Sequence, residues 1–216
     1  CPYIIYMLGQ GSTRSALSRN IVQNLLNTAF SQPQYHQRRL LLVLPQAAAV
    51  AALPLVFDSL YQAVAGQAAC LDVLVAAGKH ESPFTTDQIA TLLGSESERP
   101  SETFQTVYPK SQLFPYSWFG GNMVVINSLS ATKTASLTDG ELQQPLPIEL
   151  TRQMINYDEL IICGPLTAST SDPTHSWLME LTAGMTGLDF NLLSLSRESL
   201  LRLLQHLTET VNAFRP

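Results

Sequence analysis

Short apolar runs alternate with amphipathic stretches over residues 3–94, and this alternation limits the folds that are open to the chain. The runs at 3–8, 38–45 and 70–78 have the length and composition of buried strands. Each run is followed by a stretch whose apolar residues recur at helical spacing. The order strand, helix, strand, helix, strand, helix predicts an α/β fold, with a mostly parallel sheet and helices on both of its faces.

The predicted helices begin and end at residues that favour those positions. Thr85 and Gln88 match the Ser/Thr-x-x-Glu/Gln capping box, and Gly94 is expected to end the helix that they start. Ser18 is expected to cap an earlier helix that has one apolar face. A further helix is predicted over 53–66, because its apolar residues also recur at helical spacing.

The second half of the chain has weaker signals. Residues 95–122 are less regular, because they are rich in polar and turn-forming residues. Strands are predicted at 122–127 and 158–164, and a short helix within 129–147. No repeat and no linker divides the chain, so we expect one domain over 1–216.

The last predicted helix belongs to a helical extension over 167–216 and is amphipathic. Its apolar face is expected to dock on the domain or to pair with another chain, as in a homo-oligomer. The face carries Leu200, Leu201, Leu204, Leu207, Val211 and Phe214.

Charge, hydropathy and cysteine content exclude several classes of protein. The net charge is −5 and the only basic pair is Arg38-Arg39, so we expect no binding to nucleic acid or to anionic membranes. No apolar run approaches the roughly 20 residues that a membrane helix needs. The 3 cysteines are far apart and form no Cys-x-x-Cys pair, which gives no sign of structural zinc and favours a reducing cytoplasm.

Three predicted loops follow strands, at 45–49, 78–81 and 164–169, and ligands of open α/β sheets bind outside the carboxyl ends of the strands. In the second loop His80 could act as a general acid or base, because an imidazole titrates near neutral pH. Lys79 could hold an acidic group or lower the pKa of the imidazole by like charge. The alternative is that His80 only ends the strand and hydrogen-bonds to nearby backbone.

A second polar cluster follows Gly164 and contains Asp172, Thr174 and His175. It could bind a ligand or a metal, but a helix N-cap at Asp172 or Thr174 is the favoured interpretation, and we expect no metal site. Nucleotide-binding motifs are incomplete. The segment Gly9-Gln10-Gly11 lacks the third glycine of a dinucleotide loop, and the chain has no Walker A pattern.

Three segments, in this order, resemble the N-terminal domain of nickel-dependent lactate racemases. They are GQGSTRSALS (9–18), VLVAAGKHESPFTTDQIATLLG (73–94) and LTDGELQQPLPIELTRQMINYDELIICGPL (137–166). The resemblance covers most of residues 3–166 and implies the same α/β fold. It also implies that His80 matches a histidine that acts as acid or base at the C2 carbon of a 2-hydroxy acid. Arg152 matches the arginine that follows a strand in that family.

The chain departs from that family at the groups that hold substrate and cofactor. The segment Gln46-Ala47-Ala48-Ala49 stands where the family has Asp-x-Thr-Arg, whose arginine binds the substrate carboxylate. Ala168-Ser169 stands where the family has Pro-His, and no lysine follows to anchor the nickel-pincer nucleotide. We therefore expect no cofactor. His175 is a candidate replacement for the lost histidine.

These features leave three functions open. The first is a divergent racemase-like protein that binds a small carboxylate or another metabolite without racemising it. The second is a racemase- or epimerase-type isomerase of a 2-hydroxy acid or sugar acid, with His80 as acid or base and Lys79 in place of the missing arginine. The third is a structural or protein-interaction subunit. Besides the two catalytic candidates, the predicted ligand-binding residues are Gly78, Glu81, Arg152, Gly164, Ser169, Asp172 and His175.

Overall fold

A computed structural model of the chain describes residues 18–31, 33–46, 52–77, 82–94, 103–117 and 123–163, together with separate residues between 195 and 210. The strand predicted at 3–8 and most of the extension predicted over 167–216 lie outside these residues. The fold is α/β, as the alternation of apolar runs and amphipathic stretches predicts.

The strands within the described ranges form two sheets. In chain order they are β1 (Arg39–Pro45), β2 (Cys70–Ala77), β3 (Leu113–Ser117), β4 (Met123–Leu129), β5 (Leu146–Thr151) and β6 (Glu159–Ile162). The main sheet has the order β3-β2-β1-β6, and all of its strand pairs are parallel. β4 and β5 form a separate antiparallel ribbon. The strand predicted at 122–127 therefore forms, but it does not belong to the main sheet.

Different elements cover the two faces of the main sheet. The helices are α1 (Arg19–Phe30), α2 (Leu53–Val64), α3 (Thr86–Leu92), α4 (Phe104–Val107), α5 (Ala131–Leu137) and α6 (Arg152–Ile155), with a 3₁₀ turn at Pro33–Tyr35. One face packs against α1, α2, α3 and α4. The other face packs against β5 and α6, through Leu150 and Met154. None of the helices in the described ranges has the length and hydropathy that crossing a bilayer requires.

β1 and β2 are buried on both faces. The side chains from Leu40 to Leu44 are at most 1% exposed. A central parallel strand contacts a covering layer on each side, and for this reason its sequence is a continuous apolar run without alternation. On the helical side the fully buried Phe57 of α2 makes an edge-to-face contact with Tyr108, with 4.9 Å between the ring centroids.

Residues 95–122, whose sequence pattern is less regular than that of the first half of the chain, contain α4 and β3. β3 tolerates Pro115 since it is an edge strand of the described sheet, where a residue without an N–H group does not interrupt a ladder. β5 contains Pro147 and was not predicted from the local pattern of residues, although the resemblance to the racemases implies a strand directly before Arg152. In both strands the proline and the turn-forming residues near it weaken the pattern by which a strand is predicted from sequence.

The strand predicted at 158–164 is β6, and it is less buried than expected. Ile162 is 41% exposed. Within the described part of the chain β6 has a neighbouring strand only on its β1 side, so part of its surface remains accessible.

The described residues of the C-terminal segment dock on the chain itself. Leu203 and Leu207 are fully buried, and they pack against Leu129, Leu146 and Ile148. Leu207 belongs to the predicted apolar face, whereas Leu203 was not predicted as part of it. Glu141 accepts hydrogen bonds from Ser196 Oγ and Ser199 Oγ, both at 2.6 Å, and these bonds fix the start of the segment. Pairing of this helix with another chain stays a prediction.

α3 begins and ends where the sequence predicts. Thr85 Oγ1 accepts a hydrogen bond from the Gln88 N–H at 3.2 Å, and Gln88 Oε1 accepts one from the Thr85 N–H at 2.8 Å. Gly94 follows the helix with a φ of 84°, a left-handed conformation that glycine adopts without strain. The capping box is therefore confirmed, and it fixes the direction in which the chain enters α3.

Replacing Thr85 by alanine should lower the free energy of unfolding by about 1 kcal/mol, because the Gln88 N–H loses its acceptor. Urea denaturation followed by circular dichroism measures this change. Thr86→Ala is the matched control, since Thr86 is exposed in the first turn and does not cap the helix. Equal destabilisation by the two substitutions would contradict the capping role.

Candidate functional site

The carboxyl ends of neighbouring parallel strands meet at one edge of the main sheet. Pro45 at the end of β1 lies opposite Ala76 of β2, and Val43 of β1 lies opposite Ile162 at the end of β6. The strands that precede the three predicted loops therefore end side by side, in the order β2, β1, β6. We call this edge, formed by the carboxyl ends of β2, β1 and β6, the carboxyl edge.

β1 lies where the chain changes direction across the main sheet. From β1 the chain crosses by way of α2 to β2 on one side. The neighbour on the other side, β6, is reached from β5 and α6, which pack on the opposite face. In open α/β sheets the crevice at such a switch point, outside the carboxyl ends of the strands, is where ligands bind.

Gln46 joins the end of β1 to the segment that follows β2. Its Nε2 donates a hydrogen bond to the Ser82 carbonyl oxygen at 3.2 Å, and its Oε1 accepts one from the Phe84 N–H at 3.2 Å. The Phe84 side chain packs against the hydrophobic core on the helical side. In the sequence Gln46 lies in the first of the three predicted loops and departs from the racemase family, but nothing in the sequence indicates which main-chain groups its amide would reach.

The predicted catalytic pair Lys79 and His80, with Gly78 and Glu81, lies outside the described residues. So do the other predicted ligand-binding residues of the two later loops, namely Gly164, Ser169, Asp172 and His175. The residues that flank the first group are described. Ala77 is fully buried at the end of β2, and Ser82 is exposed and bonded to Gln46. The roles of the predicted residues therefore stay predictions, while the edge from which their loops depart is defined.

Arg152, the remaining predicted ligand-binding residue, is the first residue of α6 and is exposed. Its carbonyl oxygen accepts a hydrogen bond from Asn156 Nδ2 at 3.4 Å. None of the residues in the described ranges pairs with its guanidinium group. Within the described part of the chain Arg152 makes no hydrogen bond or ion pair with the strand ends of the carboxyl edge. Its role in ligand binding therefore also stays a prediction.

The described strand ends at the carboxyl edge carry no charged side chain. Cys163, directly after β6, donates its N–H to the Val43 carbonyl oxygen at 3.1 Å. Burial raises the pKa of the Cys163 thiol, so this group is neutral at physiological pH. Within the ranges that the structure describes, no group of His, Cys, Asp and Glu side chains could hold a metal ion. The segment that follows β2 contains the charged or titratable residues Lys79, His80 and Glu81.

A polar cluster that the sequence analysis missed lies in the amino-terminal half of β2. Asp72 is only 5% exposed. Its Oδ2 accepts a hydrogen bond from the Tyr157 hydroxyl at 2.6 Å, and its Oδ1 accepts one from the Gln112 N–H at 2.7 Å. The sequence does contain a signal for this cluster, namely a single aspartate inside an apolar strand. A buried carboxylate requires hydrogen-bond partners, so an aspartate at this position indicates a polar cluster. Both of its oxygens already have donors within the chain.

The basic pair at the start of β1 completes this cluster. The Arg39 guanidinium lies 5.0 Å from the centroid of the Tyr157 ring. Asp158 accepts a hydrogen bond from the Arg39 N–H at 2.8 Å and one from the Arg38 guanidinium at 3.1 Å. These contacts tie the start of β6 to β1. We interpret the cluster as a structural tie, because its carboxylates are bound by groups of the same chain.

Replacing Tyr157 by phenylalanine should lower the free energy of unfolding by about 1–2 kcal/mol at pH 7, because Asp72 loses a hydrogen bond. Burial, and then the bond to Asp72, raise the pKa of Tyr157 in the folded chain. The stability that this hydroxyl contributes is therefore present below the usual tyrosine pKa of about 10 and is lost as the pH rises beyond it. The free energy difference between the two proteins should shrink above pH about 10.

Urea denaturation at several pH values measures this difference. Tyr35→Phe is the matched control, because no described residue bonds to the Tyr35 hydroxyl. A Tyr157→Phe protein as stable as the control at pH 7 would show that the bond to Asp72 contributes nothing.

Comparison with known proteins supports the fold. No protein-family model matches the chain, and no curated protein matches it. A crystal structure of a Thermotoga maritima protein from the Northeast Structural Genomics Consortium is similar, with a TM-score of 0.58 and 16% sequence identity over 90% of this chain. The match covers 48% of the Thermotoga chain, so this chain spans about half the length of that protein. At this identity the likeness shows a shared fold.

Proposed function

We propose that this protein is a divergent lactate-racemase-like protein that binds a small carboxylate ligand, such as a 2-hydroxy acid, at the carboxyl edge of the main sheet. The observation that carries the proposal is the adjacency of β2, β1 and β6, whose carboxyl ends lie side by side at a topological switch point. The segment that contains Lys79 and His80 leaves this edge directly after Ala77.

The residue types at the edge and in the segment after β2 are compatible with an anionic ligand. The strand ends are neutral, so they neither repel a carboxylate nor bind it strongly. A lysine ammonium in the adjoining loop supplies a point charge for a carboxylate, although it lacks the bidentate geometry of an arginine. An imidazole next to it can donate a hydrogen bond to a hydroxyl group or accept one from it.

Binding without nickel-pincer chemistry fits the residues better than lactate racemisation by the family's route. The segment SDPTHSWLMELTAG, which follows the Pro-His position of the family, contains no lysine to anchor the pincer nucleotide, and Ala49 stands where the family has the arginine that binds the substrate carboxylate. We further propose a cytoplasmic location, because the 3 cysteines are far apart in the sequence and the described Cys70 and Cys163 are not paired with each other.

Replacing His80 by alanine should abolish the stabilisation that a 2-hydroxy acid confers on the protein. A ligand at a hundredfold its Kd adds about 2.7 kcal/mol to the free energy of unfolding, which corresponds to a rise of about 5–10 °C in the melting temperature of a chain of this size. Thermal unfolding with lactate, glycerate and gluconate measures the effect. Propane-1,2-diol is the uncharged reference ligand.

His36→Ala is the matched control for this experiment, because His36 is an exposed histidine in the turn before β1. The control should keep the full rise in melting temperature. If no carboxylate stabilises the wild-type protein, or if His80→Ala retains the whole effect, the proposed site is wrong.

The same ligands also test the alternative of an isomerase. An enzyme that removes the proton at C2 through His80 would exchange that proton with solvent, and proton NMR in D₂O would show the loss of the C2 signal. We expect binding without exchange. Exchange that disappears in His80→Ala would replace the binding proposal by a racemase- or epimerase-type activity.

A further inference from the structure

We infer that Gln46 is a positioning residue, whose side-chain amide holds the connection between β2 and α3 against the end of β1. The two hydrogen bonds of this amide join residues 36 and 38 positions apart in the chain. The connection that they hold includes the segment with Lys79 and His80. The part of the inference that concerns ligand affinity rests on the proposed function.

The Gln46 amide takes the place of a peptide group in a parallel ladder. In such a ladder one residue donates to a carbonyl of the neighbouring strand and accepts from the N–H group two residues further along. Gln46 makes this pattern with its side chain, since it donates to Ser82 and accepts from Phe84. The main-chain pairing of β1 with β2 ends at Pro45 and Ala76, so the amide adds a further link beyond it.

Both ends of the four-residue connection 78–81 are thereby fixed. Ala77 at one end is fully buried and lies opposite Ser117 of β3. At the other end Gln46 holds Ser82, and the capping box at Thr85 starts α3. Holding the two ends lowers the conformational entropy that a ligand must remove on binding, so a pre-formed site binds more tightly than a loose one.

The neutral amide is the side chain that satisfies both main-chain groups. A carboxylate accepts from the Phe84 N–H but cannot donate to the Ser82 carbonyl oxygen, and two acceptors then face each other. A protonated carboxyl group donates again through its O–H. In Gln46→Glu the bond to the Ser82 carbonyl oxygen should therefore be lost when the carboxyl group is ionised. It should form again when the group is protonated.

The first readout is the exchange of the Phe84 amide proton, which needs no ligand. In Gln46→Ala the protection of this proton should fall at least tenfold relative to wild type, whereas the amide proton of Gln88 in the capping box keeps its protection. Gln62→Ala is the matched control, because Gln62 is an exposed glutamine of α2. Retained protection of the Phe84 amide in Gln46→Ala would overturn the inference.

The second readout is the Kd for lactate, measured by titration calorimetry at pH 7. Loss of a pre-formed site should raise the Kd by about threefold to tenfold in Gln46→Ala and in Gln46→Glu, with little change in Gln62→Ala. Reduced Phe84 protection with an unchanged Kd would overturn the positioning role and leave the proposed function standing. No lactate binding by the wild-type protein would overturn the proposed function and the affinity part of the inference, whatever the exchange result.

The third readout is the pH dependence of the Kd ratio between Gln46→Glu and wild type. This ratio should fall towards one as the pH decreases through about 4.3, the usual pKa of a glutamate. Lys79, His80, Glu81 and Asp87 are present in both proteins and lactate is the same ligand, so the ratio isolates the effect of the group at position 46. A ratio that does not change with pH would contradict the claim that affinity depends on a proton donor at position 46 facing the Ser82 carbonyl oxygen.

Discussion

The parallel pairing of β1 with β2 on one side and β6 on the other is the constraint on which the rest of the structure depends. β1 is almost fully buried on both faces, so its N–H and C=O groups have no access to water and must be paired within the chain. Two neighbouring strands meet this requirement. The same pairing aligns the carboxyl ends of β2, β1 and β6, and it thereby creates the edge at which we place the ligand.

The two ends of the sheet use polar groups differently. Towards the amino ends, Asp72, Tyr157, Arg39 and Asp158 bind one another and tie β6 to β1 and β2. At the carboxyl edge the described strand ends are neutral, and Gln46 bonds to main-chain groups of the connection after β2. The amino-terminal cluster therefore ties the strands together, whereas the described strand ends at the carboxyl edge carry no charged group.

The elements that the sequence predicted are those with strong local signals. β1 and β2 are mostly apolar runs, and α3 has a complete capping box, so each could be located to within a residue or two. β3 and β5 contain Pro115 and Pro147, and their strand character comes from partners that are distant in the chain. The edge that holds the candidate site followed from the alternation of elements, whereas the role of Gln46 did not.

The sequence by itself determined the α/β class, the central strands, the start of α3 and the placing of Lys79 and His80 directly after β2, because these depend on local periodicity and capping. Tertiary structure decided the strand order, the separate β4–β5 ribbon, the partners of Asp72 and the bridge from Gln46 to Ser82 and Phe84. Each of these joins groups that are distant along the chain. Their pairing follows from the burial of whole faces and from hydrogen-bond geometry, which no local pattern of residues encodes.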